Sequence, residues 1–201
     1  MKKSIQDCLL CGQPLQSAIT WSTLLTRQFP PTICERCDSK FERITEQQEE
    51  DVISLYHYNE AMKDYIHRYK FMHDVVLAHV FRAQLHEHLA NQAAIILPVP
   101  MHEQNVKKRT FSHLDEMLRA AGLPFEQFLT KTTTETQIGK TREQRMNSER
   151  LFEVIGNKKI RNKAIIIVDD IYTTGTTIKH SKQALLEAGA SSVTAFTLIH
   201  G

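Results

Sequence analysis

The sequence contains no run of hydrophobic residues long enough to cross a lipid bilayer, which excludes a transmembrane helix. Its first residues, 1–7, also lack the apolar core of a secretion signal. The net charge is only +2 over 201 residues, and internal repeats and low-complexity tracts are absent. We therefore expect a cytoplasmic protein without membrane insertion, long enough for one α/β core and a small additional module.

Cysteine is absent after Cys37, and all four cysteines form two Cys-x-x-Cys pairs, Cys8 with Cys11 and Cys34 with Cys37. Each pair places two thiolates on one tight turn, and two such turns complete the tetrahedral sulfur set that zinc prefers. Disulfides are the competing interpretation, but a reducing compartment disfavours them. We predict a structural zinc ion without chemistry of its own, because four thiolates leave no open coordination position.

The polar, acidic stretch 46–50 resembles the solvated end of a helix and marks a domain boundary. It predicts a four-cysteine zinc-binding domain over residues 1–48 and a second domain over residues 49–201. The elements predicted next are a strand at 52–56, a helix capped by Asn59, a helix over 75–89 and a strand at 94–100 that ends in prolines.

The stretch 165–177 joins a buried strand to a helix through a short polar loop. Four aliphatic residues, 165–168, are typical of a parallel strand covered on both faces, and Asp169 and Asp170 follow at its carboxyl end, where ligands of open α/β sheets bind. The loop then offers backbone N–H groups, hydroxyls and a glycine that can adopt positive φ, at the start of a helix predicted over 177–188. The loop residues are Thr173, Thr174, Gly175, Thr176 and Thr177.

This arrangement predicts a sugar-phosphate site. The alternative is a buried strand followed by an ordinary capped helix. That alternative leaves the acid pair unexplained, because two adjacent like charges repel each other unless a ligand or a cation offsets them.

The thirteen residues 165–177 resemble the phosphoribosyl pyrophosphate (PRPP) signature of type I phosphoribosyltransferases at every position. The resemblance implies an α/β fold with a parallel sheet flanked by helices. It also implies that Asp169 and Asp170 hold the ribose 2′ and 3′ hydroxyls, while the loop 173–177 binds the 5′-phosphate. Mg²⁺ would accompany PRPP, since it binds through substrate phosphates and a few protein oxygens.

Residues 101–163 carry thirteen Lys and Arg residues against eight Asp and Glu residues, mostly in predicted loops. In the phosphoribosyltransferases, the turn after the first core strand receives pyrophosphate, and in this sequence the position holds Lys107, Lys108 and Arg109. The polar segment 132–147 stands where related enzymes have a mobile lid. Lys70 and Arg142 could assist the leaving group. The alternatives are ordinary surface charges and an ordinary surface loop.

Several motifs follow one another along nearly the whole chain. They are the four cysteines, Tyr69-Lys70-Phe71 followed by Asp74, Leu97-Pro98-Val99-Pro100, Thr136-Gln137 before Arg142, and the PRPP signature. Taken in this order, they resemble the ComF family. The resemblance implies uptake or handling of single-stranded DNA during natural transformation, with a helicase of the same operon as a partner. One departure is that the family often has Arg-Gly-Phe-Asn-Gln where residues 109–113 are Arg-Thr-Phe-Ser-His.

The sequence leaves two functions open. The first is an enzyme that transfers ribose 5-phosphate from PRPP to an unknown acceptor. The second is a non-catalytic module that binds PRPP or phosphate and single-stranded DNA. Some phosphoribosyltransferases carry a basic carboxylate four residues after the first acid of the pair, and here that position is Thr173.

Overall fold

The computed structural model describes residues 5–15, 29–46, 50–101, 111–131 and 151–201. The elements are α1 (Glu35–Asp38), β1 (Val52–His57), α2 (Glu60–Phe71), a 3₁₀ helix (Val75–His79), α3 (Arg82–Leu89), β2 (Ile95–Pro98), α4 (His113–Ala120), β3 (Leu129–Lys131), β4 (Phe152–Val154), α5 (Asn157–Ile160), β5 (Ala164–Tyr172), α6 (Thr176–Glu187) and β6 (Ser192–His200). Within the described ranges, four parallel strands form the central sheet in the order β1-β6-β5-β2.

Strand β5 is buried on both faces, as its aliphatic run predicts. Ile166 and Val168 belong to a core cluster with residues of α2, α3 and α4. Ile165 and Ile167 belong to a second cluster with residues of α6 and the strands β3 and β4. The sheet is therefore covered by helices on both sides.

Helix α2 confirms the prediction of a capped helix after β1. The side chain of Asn59 accepts a hydrogen bond of 3.0 Å from the backbone N–H of Met62. The apolar face of the helix is buried, and its two tyrosines, Tyr65 and Tyr69, stack with ring centroids 5.8 Å apart. The helix ends at Phe71, which brings Lys70 to the carboxyl edge of the sheet.

The single helix predicted over 75–89 is wrong, because this segment is a 3₁₀ helix followed by α3. The break has a local cause. The carbonyl of Leu77 accepts from the hydroxyl of Tyr65 at 3.3 Å and from the N–H of Val80 at 3.0 Å. The carbonyl of His79 accepts from the hydroxyl of Thr32 at 3.2 Å. In a continuous helix, backbone N–H groups would bond these two carbonyls. Here side-chain hydroxyls from other segments of the chain bond them.

Strands β3 and β4 pair antiparallel, with Leu129 beside Val154. The segment 132–147, predicted to be a lid or a surface loop, connects these two strands and lies outside the described residues.

Strand β2 includes Pro98, although proline has no backbone N–H to donate. The strand lies at the end of the described strand order, and a strand in that position does not need a hydrogen bond from every backbone N–H.

The cysteine-containing segment packs against the sheet. The N–H of Ile44 donates to the carbonyl of Leu55 at 2.9 Å, and the N–H of His57 donates to the carbonyl of Glu42 at 2.9 Å. Phe41 joins the core cluster of α2, α3 and α4. The chain just before the predicted boundary at residue 48 therefore lies along the outer edge of β1.

Helices long and apolar enough to cross a membrane are absent from the described ranges.

Candidate functional site

The acid pair lies near the carboxyl end of β5, and Asp170 is buried there between two helices. Its carboxylate contacts the ammonium group of Lys70, which lies in the last turn of α2. The same carboxylate lies 2.7 Å from Nε2 of His113, the first residue of α4. Only 7% of Asp170 is exposed. Three elements that are distant in the sequence therefore meet at this one carboxylate.

Asp169 differs from Asp170 in its surroundings. It is partly exposed, and one of its carboxylate oxygens, Oδ1, accepts the backbone N–H of Asp170 at 2.9 Å. Side chains alternate along a strand, so Asp170 lies on the face of Ile166 and Val168, whereas Asp169 lies on the other face. Asp169 is the member of the pair that a ligand can reach.

The protonation of the two acids differs accordingly. Burial and the adjacent charge of Asp170 raise the pKa of Asp169 to about 7. Burial also acts to raise the pKa of Asp170, but the hydrogen bond from His113 and the positive charge of Lys70 outweigh it and hold this pKa well below its usual value. Asp170 is therefore a permanent anion near neutral pH, whereas Asp169 can gain or lose a proton there.

A further hydrogen bond ties the helices together behind the acids. The hydroxyl of Tyr69 donates to the backbone carbonyl of His113 at 2.6 Å, and Tyr69 is completely buried. Tyr69 precedes Lys70, so neighbouring residues of α2 hold both the backbone of His113 and the carboxylate of Asp170. The first turn of α4 is thereby fixed against the end of α2.

The polar loop after β5 ends in a left-handed glycine at the start of a helix. Gly175 has a left-handed φ of 69°, and helix α6 begins directly after it. The hydroxyls of Thr174 and Thr176 lie 2.9 Å apart, and both residues are exposed. The first N–H groups of a helix have no intrahelical partners, and together with the helix dipole they favour an anion at this position.

The four cysteines converge on one point, as predicted. Their sulfur atoms all lie within 4.8 Å of one another, and the sulfurs of Cys11 and Cys34 are 3.7 Å apart. Four sulfurs bound tetrahedrally at the usual zinc distance would be separated by roughly 3.8 Å. The backbone N–H of Cys34 also donates to the sulfur of Cys8 at 3.3 Å. The donor set therefore fits a zinc ion.

The pKa values of two of these thiols are shifted in opposite directions. Burial acts to raise the pKa of Cys8, but hydrogen bonds from the backbone N–H groups of Cys34, Cys11 and Leu10 lower it to about 6. Burial and the neighbouring cysteine side chains raise the pKa of Cys37 to about 12. Four thiolates cannot coexist at this separation without a positive charge among them, which a divalent metal supplies.

The structure brings part of the predicted site together. Asp169, Asp170, Lys70 and the loop 173–177 meet at the carboxyl edge of the sheet. Lys70, however, contacts Asp170, so its ammonium group is paired with a carboxylate of the protein itself. Arg109 and Arg142 lie outside the described residues, as do Lys107 and Lys108.

His113 is the site residue that the sequence did not predict. A signal was present, because His113 stands where the ComF family often has glutamine, the last residue of Arg-Gly-Phe-Asn-Gln. Histidine and glutamine can both donate a hydrogen bond from a side-chain nitrogen. The departure from the family pattern therefore coincides with a contact to the acid pair.

Comparison with known proteins identifies the family. Residues 83–201 match the model of the phosphoribosyl transferase domain. Competence protein ComFC of Streptococcus pneumoniae is 33% identical, over 96% of this chain and 99% of that protein. The chain belongs to the ComFC family of competence proteins. Competence protein ComFC of Bacillus subtilis is 26% identical, over 96% of this chain and 94% of its own length.

A solved structure of glutamine PRPP amidotransferase from B. subtilis is also similar, with 23% identity and a TM-score of 0.44. The match covers 62% of this chain and 26% of that chain. The match of residues 83–201 to the family model shows that this chain carries a phosphoribosyltransferase domain with a type I fold, as the signature predicted.

Proposed function

We propose that this ComFC family member binds PRPP with Mg²⁺ at the carboxyl edge of its sheet and handles incoming single-stranded DNA in the cytoplasm during natural transformation. The observation that carries the PRPP part is the loop after β5. A left-handed glycine there precedes the N-terminus of a twelve-residue helix, and the two acids lie in the strand that leads into the loop.

In this proposal, PRPP contacts three parts of the site. The 5′-phosphate binds to the backbone N–H groups and hydroxyls of residues 173–177 at the start of α6. Asp169 accepts hydrogen bonds from the ribose hydroxyls. Arg109 and Arg142 provide positive charge for pyrophosphate, as the family pattern implies.

Asp169 also fits a supporting role for Mg²⁺, which usually binds substrate phosphates and one or two carboxylates rather than a cage of protein ligands. When bound, Mg²⁺ would neutralise charge on the pyrophosphate group. The zinc ion has a structural role in this proposal, because the four sulfurs fill its coordination sphere.

One candidate activity is transfer of ribose 5-phosphate to an acceptor, and the other is PRPP binding without turnover. Two observations favour the second. Thr173 replaces the basic carboxylate of some phosphoribosyltransferases, and Lys70 pairs with Asp170 instead of standing free near a leaving group. Release of pyrophosphate from PRPP in the presence of nucleotides or single-stranded DNA would establish the first.

Calorimetric titration with PRPP and Mg²⁺ tests the central proposal. The wild-type chain should bind, and Asp169→Asn should bind at least about tenfold more weakly, because a hydrogen bond to a charged group contributes roughly 1.5–3 kcal/mol. Asp64→Asn, at an exposed position of α2, is the matched control and should bind like the wild type. Absence of binding by the wild type would contradict the proposal. Changing Asp170 is less suitable as a test, since that residue also holds two helices.

The DNA part of the proposal rests on the relatives, which are named competence proteins. Fluorescence anisotropy with a labelled single-stranded oligonucleotide tests it. Binding through phosphates should weaken steeply as salt is added, because the protein's cations release counterions from the DNA. Salt-insensitive binding, or none, would contradict it. Co-purification with the helicase of the same operon tests the proposed partner.

Metal analysis of protein purified without chelator tests the zinc part. One zinc ion per chain is expected, and Cys34→Ser should lose it. Ser39→Ala, next to α1 and exposed, should retain it. A wild-type content far below one ion per chain would contradict a structural zinc.

A further inference from the structure

We propose that the groove between the cysteine-containing segment and α2 binds the phosphates of single-stranded DNA, and that Phe71 at the end of this groove stacks against one of the bases. The proposal rests on the DNA part of the proposed function and gives that function a place on the molecule. The surface shares no residue with the acid pair or with the loop 173–177.

The groove is lined mainly by positive charge. It has a volume of about 260 Å³ and lies between α2 on one side and the turn of Cys11 and the helix α1 on the other. Three cationic side chains line it against one carboxylate, and these are Arg36, Lys40 and Arg68 against Asp64. An excess of positive charge along a groove attracts a polyanion in preference to a neutral or cationic partner.

Two of these cations have no carboxylate partner. Arg36 and Lys40 are exposed, and neither forms an ion pair with any residue that the structure describes. Arg68 differs, because it pairs with Asp74 at 3.1 Å. Arg36 and Lys40 are therefore the cations that can bind the phosphates of a ligand, and each contact would release counterions from the strand.

Two sets of hydrogen bonds hold the walls of the groove together. Toward the start of α2, Nδ2 of Asn59 donates to the carbonyl of Lys40 at 2.9 Å. Toward the end of α2, the guanidinium of Arg68 donates to the carbonyls of Leu10 and Leu9 at 2.9 and 3.1 Å. The groove is therefore formed before a ligand binds, so that little binding free energy is spent on ordering it.

Exposed side chains continue the groove beyond its cations. The imidazole of His67 lines the groove, and its centroid lies 5.8 Å from that of the Phe71 ring. Phe71 is 61% exposed, and Met72, the next residue, is 65% exposed. The bases of a single strand stack on such rings, whereas the bases of a duplex are already paired and stacked. An exposed ring beside a cationic groove thus favours a single strand over a duplex.

An acidic protein segment is the competing occupant, because it would also meet the two cations. The anchor side chains in protein interfaces are usually enclosed in well-packed, desolvated pockets. Phe71 and Met72 instead stand out from the surface, more than half exposed. An exposed phenylalanine in this position is better suited to stack against a base than to fill a pocket of a partner protein.

Fluorescence anisotropy with an oligo-dT of about sixteen nucleotides tests the role of the cations. In the double variant Arg36→Gln, Lys40→Gln, the slope of log K against log salt concentration should become shallower by about 1.4, because each phosphate contact of a single strand contributes about 0.7. The double variant Lys159→Gln, Lys163→Gln removes the same charge from exposed positions before β5 and should keep the wild-type slope. A wild-type slope in the Arg36 and Lys40 variant would overturn the proposal and leave an acidic protein segment as the occupant.

An oligonucleotide of the same length without bases tests the role of Phe71. Phe71→Leu should weaken binding of oligo-dT by about fivefold or more, the lower end of the effect of one base stacked on an aromatic ring. The same variant should bind the abasic strand as the wild type does. Phe125→Leu, at a partly exposed position between α4 and β3, is the control and should bind both strands normally. Equal weakening for both strands in Phe71→Leu, or no weakening for oligo-dT, would contradict base stacking.

The same measurements separate this proposal from the one on which it rests. If the wild type binds no oligo-dT, the DNA part of the proposed function itself fails, and the groove fails with it. If the wild type binds and the Arg36 and Lys40 variant keeps its slope, only the groove fails. The zinc content of this variant should equal that of the wild type. A loss of zinc with an unchanged slope would show that the two cations offset the charge of the thiolates and bind no DNA.

Discussion

Tyr172 lies directly against Gly175, so that the loop 173–177 folds over the side chain of the residue that ends β5. A Cβ atom built on Gly175 would lie 2.5 Å from the hydroxyl oxygen of Tyr172 and 3.0 Å from the ring carbon that carries it. Gly175 also has a φ of 69°, which favours glycine. Both the backbone conformation and the close approach therefore require glycine here.

Gly175→Ala should accordingly distort the loop and weaken PRPP binding by about tenfold or more, because the N–H groups at the start of α6 move away from the phosphate. Calorimetry measures the effect. Gly122→Ala is the matched control, since Gly122 has a similar φ of 66° but no atom within 4 Å of an added Cβ. It should lose roughly 1–2 kcal/mol of stability from backbone strain and keep its affinity for PRPP. Equal losses of affinity in both variants would contradict the role of Tyr172.

Lys70→Met should destabilise the fold by about 3–5 kcal/mol, because it leaves the buried charge of Asp170 without its cation. Urea unfolding measures the change. Lys63→Met on the same helix is the control, because Lys63 is exposed and its pair with Glu60 contributes less than about 1 kcal/mol. A Lys70 variant as stable as the Lys63 variant would show that the ion pair does not hold the two helices together.

The pH dependence of stability should identify Asp169. Its pKa is raised from the ordinary value of 3.8 to about 7 by burial and by Asp170. Between these values the folded protein keeps a proton that the unfolded chain has released, so the free energy of unfolding falls as the pH rises and levels off above about 7. Asp169→Asn removes this contribution. Urea unfolding of both proteins from about pH 5 to about pH 8 should show the difference, and parallel curves would contradict it.

Arg68→Lys should loosen the cysteine-containing segment. The guanidinium of Arg68 donates to the carbonyls of Leu10 and Leu9, at 2.9 and 3.1 Å, and to the carboxylate of Asp74 at 3.1 Å. Lysine presents a single ammonium group and cannot reproduce this fork. We expect faster release of zinc to a chelator, followed with a metal-sensitive dye. Arg43→Lys, an exposed arginine paired with Asp38, should release zinc at the wild-type rate.

Features set by neighbouring residues could be predicted from the sequence. The aliphatic run of β5, the cap at Asn59 and the glycine before α6 depend on local propensity and spacing, and the structure contains all three. The four cysteines converge because their spacing and chemistry leave few other arrangements.

Contacts between distant elements could not be predicted in the same way. Lys70, His113 and Asp170 are separated by dozens of residues, and no periodic pattern connects them. The end of the 3₁₀ helix depends on hydroxyls of Thr32 and Tyr65, which only the folded chain brings there. Such contacts depend on how the helices pack against one another, and no short sequence pattern predicts that packing.

The pairing of residues 42–44 with β1 bears on self-association. A bare edge strand offers unpaired N–H and C=O groups to the edge strand of another molecule, and proteins commonly cover such edges. Here the chain that leaves the cysteine cluster covers β1. Chelation of the proposed zinc ion would loosen that cover and expose the strand, so the metal-free protein should aggregate through its sheet before its central core unfolds.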